Sequence, residues 1–346
     1  MKKNNPFTLT FGKQPGEYIN RYENTEMILS TFESDNPIAQ AYLIEGVRGS
    51  GKTVLMTSIA NILSDRDDWV VVNLNSTGDL IADFALRLHD AAKPITDIIK
   101  SGFNLSIAGF GIGVTSTNQL QDNISIVEEL LSELKKKKKK VLITIDEVTP
   151  TDNMKYFASQ FQIWLRQDYP LFLLMTGLYE NVYAIQNDPA LTFLLRTPKI
   201  TMEPLSIQQI TKQYKSVLNL ELDDAYKMAL ETKGYAFAFQ ALGMLYFEYG
   251  DELQFEEILS KLDDLLDDFV YKKIWESLSD KDRIIVKSIG DAPVSVSELS
   301  EKLNIQQTSF SRYKERLIKR GLIVVPSRGM VALSLPRFAN VVSYYR

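Results

Sequence analysis

Cysteine is absent from the 346 residues, and histidine occurs once, at His89. The first absence excludes disulfide frameworks and zinc–thiolate centres, and it suits a reducing compartment. The second excludes metal sites and catalytic triads built on histidine. His89 itself reads as a surface or half-buried residue of the helical-looking stretch 80–92. No run of about 18 apolar residues occurs that could cross a membrane as a helix, and the opening Met1-Lys-Lys-Asn-Asn-Pro6 has no apolar core of a secretion signal. A soluble cytoplasmic protein with no membrane contact is therefore expected. Hydrophobic residues make up 45% of the chain, enough for two or three domains with their own cores.

A large net charge is lacking too, but the total of −5 conceals a division. From Glu221 to Val270 there are 13 acidic and 3 basic residues, a net −10; from Tyr271 to Arg346 there are 14 basic and 7 acidic, a net +7. The last part of the chain is a different electrostatic object from the part before it.

What is present is a complete GxxxxGK[ST] phosphate loop, Gly46-Val47-Arg48-Gly49-Ser50-Gly51-Lys52-Thr53. It follows the apolar run Ala41-Tyr-Leu-Ile44 and opens the apolar-periodic stretch from Val54 to Leu63, the strand, loop and helix context that the motif requires. Its glycines let successive backbone N–H groups turn inward around phosphate oxygens at a helix N-terminus, where the helix dipole also favours negative charge. Lys52 is placed to reach the β- and γ-phosphates of ATP, and Thr53 to ligate Mg²⁺. A second motif, Val141-Leu-Ile-Thr-Ile-Asp146-Glu147, is a buried-strand run ending in two carboxylates. Phosphoryl transfer needs two such groups, Asp146 for the metal shell and Glu147 to orient and deprotonate the attacking water.

Around these motifs the pattern alternates strand and helix. Trp69 to Leu74, Leu171 to Gly177 and Lys199 to Glu203 read as further strands, giving five; Leu80 to Ala92, Ile124 to Leu134 and Asn153 to Arg166 read as helices. Pro6 to Gly16 reads as an extended arm. Phe103 to Thr115 has a β-hairpin pattern, covering a sheet edge or touching a partner or DNA. Lys135 to Lys140 reads as a solvated helix cap or a phosphate-backbone contact. Ser206 to Phe269 is helical throughout. The final part gives three helices and then a hairpin carrying Arg328 at its tip, a winged helix-turn-helix layout. The expected division is 1–205 for a nucleotide-binding core with its arm, 206–270 for a helical lid, and 271–346 for the winged helix.

Together the phosphate loop, the acidic strand end, the polar tip Thr176 of the fourth strand, the helical lid and the winged helix resemble AAA+ P-loop ATPases of the archaeal-type, origin-initiator-like branch. The resemblance implies a three-layer α/β fold around a parallel sheet, with ATP and Mg²⁺ bound. It extends the nucleotide contacts over Gly46 to Val54 and to Ile19 and Arg21, because Ile19-Asn-Arg-Tyr-Glu23 is similar to the box that packs near adenine, with Asn20 at its glycine. It also implies that Thr176 senses the γ-phosphate. Arg196, just before the fifth strand, resembles an arginine finger serving a neighbouring subunit, the other reading being a surface arginine. Lys233 to Gln240 resembles the sensor segment of the lid, without its proline and without an arginine.

In the winged helix, Gln307 to Arg320 carries polar Gln307, Thr308, Ser309 and Ser311 at its start and Arg312, Lys314, Arg316, Lys319 and Arg320 beyond. Residues 307–328 are thus expected to meet double-stranded DNA, polar side chains toward base edges and basic ones toward phosphates. The expectation is an ATP-hydrolysing switch that controls DNA binding. The alternative is a STAND-like signal-transduction switch whose winged helix holds a protein partner, and self-association into a homo-oligomer is open in either case.

Overall fold

The apolar runs without alternation become one parallel sheet, because a strand covered on both faces needs no polar side. The computed structural model describes residues 4–10, 16–95 and 117–345. Its strands β1 (Ala41–Glu45), β2 (Trp69–Leu74), β3 (Lys140–Ile145), β4 (Leu171–Gly177) and β5 (Lys199–Thr201) lie in the spatial order β2-β3-β4-β1-β5. Every pairing is parallel, with Ile44 opposite both Thr176 and Ile200, and Thr144 opposite both Asn73 and Leu174. All residues of β1 and β4 are buried. The order inserts β4 between the strand that leads into the phosphate loop and the strand that ends in Asp146. The tip of β4 therefore reaches the acidic pair. The hairpin expected at Phe103 to Thr115 lies outside the described residues.

The sheet belongs to one compact unit, Arg21–Glu45 with Lys52–Thr201. Its helices are α1 (Tyr22–Glu33), α2 (Lys52–Ser64), α3 (Leu80–Ala92), α4 (Thr117–Lys136), α5 (Asp152–Arg166) and α6 (Tyr179–Gln186), followed by a 3₁₀ segment, Pro189–Arg196. Local chemistry sets several starts: Asp79 accepts from the N–H groups of Ile81 and Ala82 at 3.0 and 3.1 Å, and Thr151 accepts from Met154. α3 buries Ile81, Phe84, Ala85, Leu88 and Ala92, and His89 with them at 5% exposure, deeper than expected. The register of the apolar face, at 85, 88 and 92, carries position 89 inward.

The lysine run also divides. Lys135 and Lys136 end α4 and are exposed, as a solvated cap requires. Lys140 instead starts β3, and its ammonium donates to the carbonyls of Phe32 and Glu33 at 3.1 and 3.2 Å while lying over the rings of Trp69 and Phe172. It thereby satisfies two orphan carbonyls at the C-terminus of α1.

The other unit gathers the described residues within 1–20, the loop Gly46–Gly51, and residues from Met202 onward. Its first helices are α7 (Ile207–Leu218), α8 (Leu222–Glu231), α9 (Ala236–Tyr249) and α10 (Phe255–Leu266). α10 runs through a π-helical turn, Asp267–Tyr271, into α11 (Lys272–Glu276). Then follow α12 (Asp280–Ile289), β6 (Val294–Ser295), α13 (Val296–Lys302), α14 (Gln307–Lys319), β7 (Ile323–Val324), β8 (Met330–Leu333) and α15 (Phe338–Ser343). The three short strands form an antiparallel sheet in the order β6-β8-β7.

One hydrophobic core runs through all of these helices. The N-terminal arm enters it: Phe7 is 2% exposed and meets the rings of Tyr214 and Phe239 edge-on. Arg337 clamps the core's rim, its guanidinium donating twice to the Asp263 carboxylate, with Glu231 at 3.6 Å. Charge-assisted bonding of this fork type is stronger than a neutral contact.

Candidate functional site

Within the sheet-bearing unit, four polar residues converge at the C-terminal ends of β3 and β4 and the first turn of α2. The Thr53 hydroxyl donates to Asp146 Oδ2 at 2.9 Å. The other carboxylate oxygen, Oδ1, accepts from the Thr176 hydroxyl and from the Glu147 N–H, the latter at 3.1 Å. That same N–H also points to Thr176 Oγ1 at 3.1 Å, and the Val148 N–H donates to the Thr176 carbonyl at 2.8 Å. Thr176 is fully buried, so its hydroxyl is a fixed rather than a solvated group.

Glu147 occupies the left-handed region at φ +53°, which costs a non-glycine residue about 1–3 kcal/mol. The hydrogen bonds on its N–H hold that turn. The result takes its carboxylate out of the strand's alternation and leaves it exposed. Lys52, at the start of α2, is buried at 8% exposure.

In the other unit the loop Gly46–Gly51 is held from outside. The Ser50 N–H donates to the Val47 carbonyl at 3.2 Å, closing the loop on itself. The Tyr235 hydroxyl donates to the Arg48 carbonyl, and the Phe237 N–H donates to the Gly49 carbonyl at 3.1 Å. Burial pushes the Tyr235 phenol far above its ordinary value, so it remains an O–H donor. Gly49 sits at φ +74°, and a Cβ there would lie 2.3 Å from the Tyr235 hydroxyl. Glycine is needed at that position for its conformation and for its missing side chain. The expected sensor segment thus supplies a tyrosine and a backbone N–H, both spent on loop carbonyls.

The remaining candidates are placed as follows. Ile19 packs against the hydrophobic core of the loop-bearing unit, and Arg21 immediately precedes α1 in the sheet-bearing unit. Val54 lies in the first turn of α2. Arg196 ends the 3₁₀ segment, exposed and outside the hydrogen-bonded cluster. The buried Gln186 amide donates to the carbonyls of Leu194 and Thr197, at 2.9 and 3.3 Å, and so fixes the turn that carries it.

On α14, Gln307, Thr308, Ser311 and Arg312 are exposed. The other basic residues are partly committed. Arg316 donates to the Asp282 carboxylate at 2.6 Å, which is buried at 1% exposure; Arg320 donates to the Ser277 hydroxyl at 2.6 Å; and Lys319 pairs with Glu315 at 2.9 Å. Arg312, Lys314 and Arg328 make no ion pair among the described residues.

A divalent cation can be tested against the cluster. No group of three or more His, Cys, Asp or Glu side chains suited to a metal occurs among the described residues. A hydroxyl and a carboxylate oxygen 2.9 Å apart, Thr53 and Asp146, form a sparse all-oxygen donor pair. Mg²⁺ suits such a pair, because it keeps waters and takes phosphate oxygens as its other ligands. The residues present fit it.

Comparison with solved structures gives the fold. The chain is similar to a Walker-type ATPase of Pyrococcus abyssi, with a TM-score of 0.65 at 13% identity over 94% of this chain and 96% of that one. It is similar to the ORC2 protein of Aeropyrum pernix, solved in ADPNP–ADP complexes, with a TM-score of 0.61 at 15% identity over 96% of each chain. It is also similar to Cdc6p of Pyrobaculum aerophilum, with a TM-score of 0.51 at 14% identity over 96% of each. These likenesses give the fold, an α/β P-loop fold of the AAA+ type. The sequence profile of a domain of unknown function, DUF8462, matches residues 268–342. Comparison with curated protein sequences gives no match. No helix among the described residues is long and apolar enough to cross a membrane.

Proposed function

We propose that the chain is an ATP-binding, Mg²⁺-dependent and ATP-hydrolysing molecular switch whose C-terminal part is a winged helix that contacts double-stranded DNA. The observation that carries the first half is the joining of Thr53, Asp146, Thr176 and Glu147 in one hydrogen-bonded cluster. Residues 46–54 bind the phosphates, with Lys52 opposing their charge. Thr53 and Asp146 hold Mg²⁺, which supplies charge neutralisation on the phosphate oxygens. Thr176 keeps the Asp146 carboxylate turned toward Thr53. The exposed Glu147 carboxylate orients a water and accepts its proton as the γ-phosphoryl group leaves, giving ADP and phosphate.

Two variants test this. Lys52→Ala is expected to weaken binding of a fluorescent ATP analogue. Glu147→Gln should retain binding and lose most turnover, on the order of a hundredfold, since general-base catalysis contributes about that much or more. Wild-type hydrolysis by Glu147→Gln would remove Glu147 as the base.

The DNA half rests on Arg312, Lys314 and Arg328, the cations of 307–328 committed to neither an ion pair nor a hydrogen bond among the described residues. Commitment of Arg316 and Arg320 to internal partners favours a second reading, a nucleotide switch whose winged helix holds a protein. Anisotropy titrations of the full chain against a duplex at several salt concentrations separate the two. Contact through phosphates gives a log–log salt slope that falls by roughly one unit in Lys314→Ala. No binding at low salt in either nucleotide state leaves the protein-partner reading.

A further inference from the structure

The phosphate loop contains a turn whose central peptide can face either of two ways. The Ser50 N–H donates to the Val47 carbonyl at 3.2 Å, so residues 47–50 close a four-residue turn. Its third residue, Gly49, stands at φ +74°, the mark of a type II turn. A type I turn over the same residues keeps the closing hydrogen bond and differs by a rotation of the Arg48–Gly49 peptide through roughly 150–170°. That rotation exchanges the directions of the Arg48 carbonyl and the Gly49 N–H. Glycine has no side chain to oppose either form, so the turn by itself leaves the facing open.

Tyr235 selects one facing. Its hydroxyl donates to the Arg48 carbonyl, and the Phe237 N–H donates to the Gly49 carbonyl at 3.1 Å. The C=O and N–H of a trans peptide point in opposite directions, so a carbonyl of Arg48 held against Tyr235 turns the Gly49 N–H to the far side of the loop. The Gly49 carbonyl, held in the same way, turns away the Ser50 N–H that closes the turn on Val47. Tyr235 itself has little freedom. Its ring is stacked on that of Tyr271 with centroids 6.5 Å apart, and its N–H donates to the Thr232 carbonyl at 2.8 Å. The carbonyl of the preceding Gly234 accepts from the Leu205 N–H, also at 2.8 Å. Burial keeps the phenol protonated and therefore a donor.

We propose, on the reading that residues 46–53 hold the polyphosphate of ATP, that Tyr235 is a positioning residue of the phosphate loop. Its hydroxyl holds the Arg48–Gly49 peptide in the facing that offers the Gly49 N–H, and not the Arg48 carbonyl, to a phosphate oxygen. The difference between the two facings is one of sign. An N–H before an anionic oxygen makes a charge-assisted hydrogen bond, whereas a carbonyl in its place sets the negative end of a dipole against negative charge. Tyr235 acts through the loop backbone and does not itself touch the nucleotide. Its effect therefore falls on the binding of phosphates and not on recognition of the base.

Tyr235→Phe tests this, because it removes the hydroxyl and keeps the ring. Tyr214→Phe is its control: Tyr214 is fully buried, and its hydroxyl donates to the Phe239 carbonyl in α9 at 2.7 Å, so its loss disturbs the same helix without touching the loop. Isothermal titration calorimetry of the full chain measures the affinity for ATP and for inorganic tripolyphosphate, each with Mg²⁺, and urea unfolding checks that both variants are folded under those conditions. In Tyr235→Phe the affinity for both compounds should fall by the same factor, about fivefold to tenfold, while Tyr214→Phe stays within about twofold of the wild type. Unchanged affinity in Tyr235→Phe, an equal loss in Tyr214→Phe, or a loss for ATP without one for tripolyphosphate would each overturn the proposal and leave the nucleotide reading standing. A wild-type chain that binds neither compound would overturn the nucleotide reading and the proposal with it.

Discussion

Replacing Gly49 by alanine tests how tightly the phosphate loop is held by the helical part of its own unit. The new Cβ would lie 2.3 Å from the Tyr235 hydroxyl, 3.0 Å from Tyr235 Cζ and 3.1 Å from Phe237 Cβ. Tyr235 is only 5% exposed, so it has little room to withdraw, and doing so breaks its hydrogen bond to the Arg48 carbonyl. The φ of +74° adds a left-handed cost of about 1–2 kcal/mol for alanine, and the lost hydrogen bond about 1 kcal/mol. The sum, roughly 2–3 kcal/mol, corresponds to about a 30-fold to 150-fold change in the unfolding equilibrium.

Tyr235→Phe alone should cost about 1 kcal/mol, because the Arg48 carbonyl loses its donor. In the phenylalanine background, however, the atom nearest the new Cβ is gone and no Tyr235 hydrogen bond is left to break, so Gly49→Ala should cost about 1 kcal/mol less, with the contacts to the ring Cζ and to Phe237 Cβ unchanged. A double-mutant cycle followed by urea unfolding and far-UV circular dichroism should therefore show coupling of about 1 kcal/mol. Additivity within roughly 0.3 kcal/mol would mean that the hydroxyl and the loop do not share that space, and the argument would fail.

Lys140→Met should destabilise the chain by about 1.5–3 kcal/mol through two lost charge-assisted bonds, whereas Lys137→Met should stay within roughly 0.5 kcal/mol; urea midpoints measure both. Arg337→Met strands the Asp263 carboxylate in a partly exposed site, so a loss of about 2 kcal/mol is expected after allowing for solvent screening. The melting temperature should fall by roughly 4–8 °C. If Arg196 serves a neighbouring copy, ATPase activity per protomer should rise with protein concentration, and Arg196→Ala should flatten that rise while sparing nucleotide affinity. A rate independent of concentration in the wild type excludes the role.

The strands and most helices are legible in the sequence alone, since unbroken apolar runs and 3.6-residue periodicity belong to consecutive residues. β2 spans Trp69–Leu74 and α3 spans Leu80–Ala92, as their patterns predict. The elements missed are short: α6, β6 and α15 offer too few residues for a period to declare itself, and α15 begins after Arg337 at φ +53°, a conformation its sequence does not announce. The depth of His89 was missed because a single polar residue on an apolar helix face depends on the exact rotation of that helix.

The phosphate loop and the acidic pair were fixed by local sequence, because glycines, a lysine, a threonine and two carboxylates at set spacing carry their chemistry with them. Their partners were decided by tertiary structure. Thr176 meets Asp146 across 30 residues only because β4 lies between β1 and β3, and strand order is not written in any one segment. Packing likewise decided that Lys140 caps α1 rather than facing water, that Tyr235 grips the loop carbonyl of Arg48, and that Arg316 answers a buried Asp282. A charged or phenolic side chain in a sequence shows what it can donate; which acceptor it reaches depends on the elements the fold brings beside it.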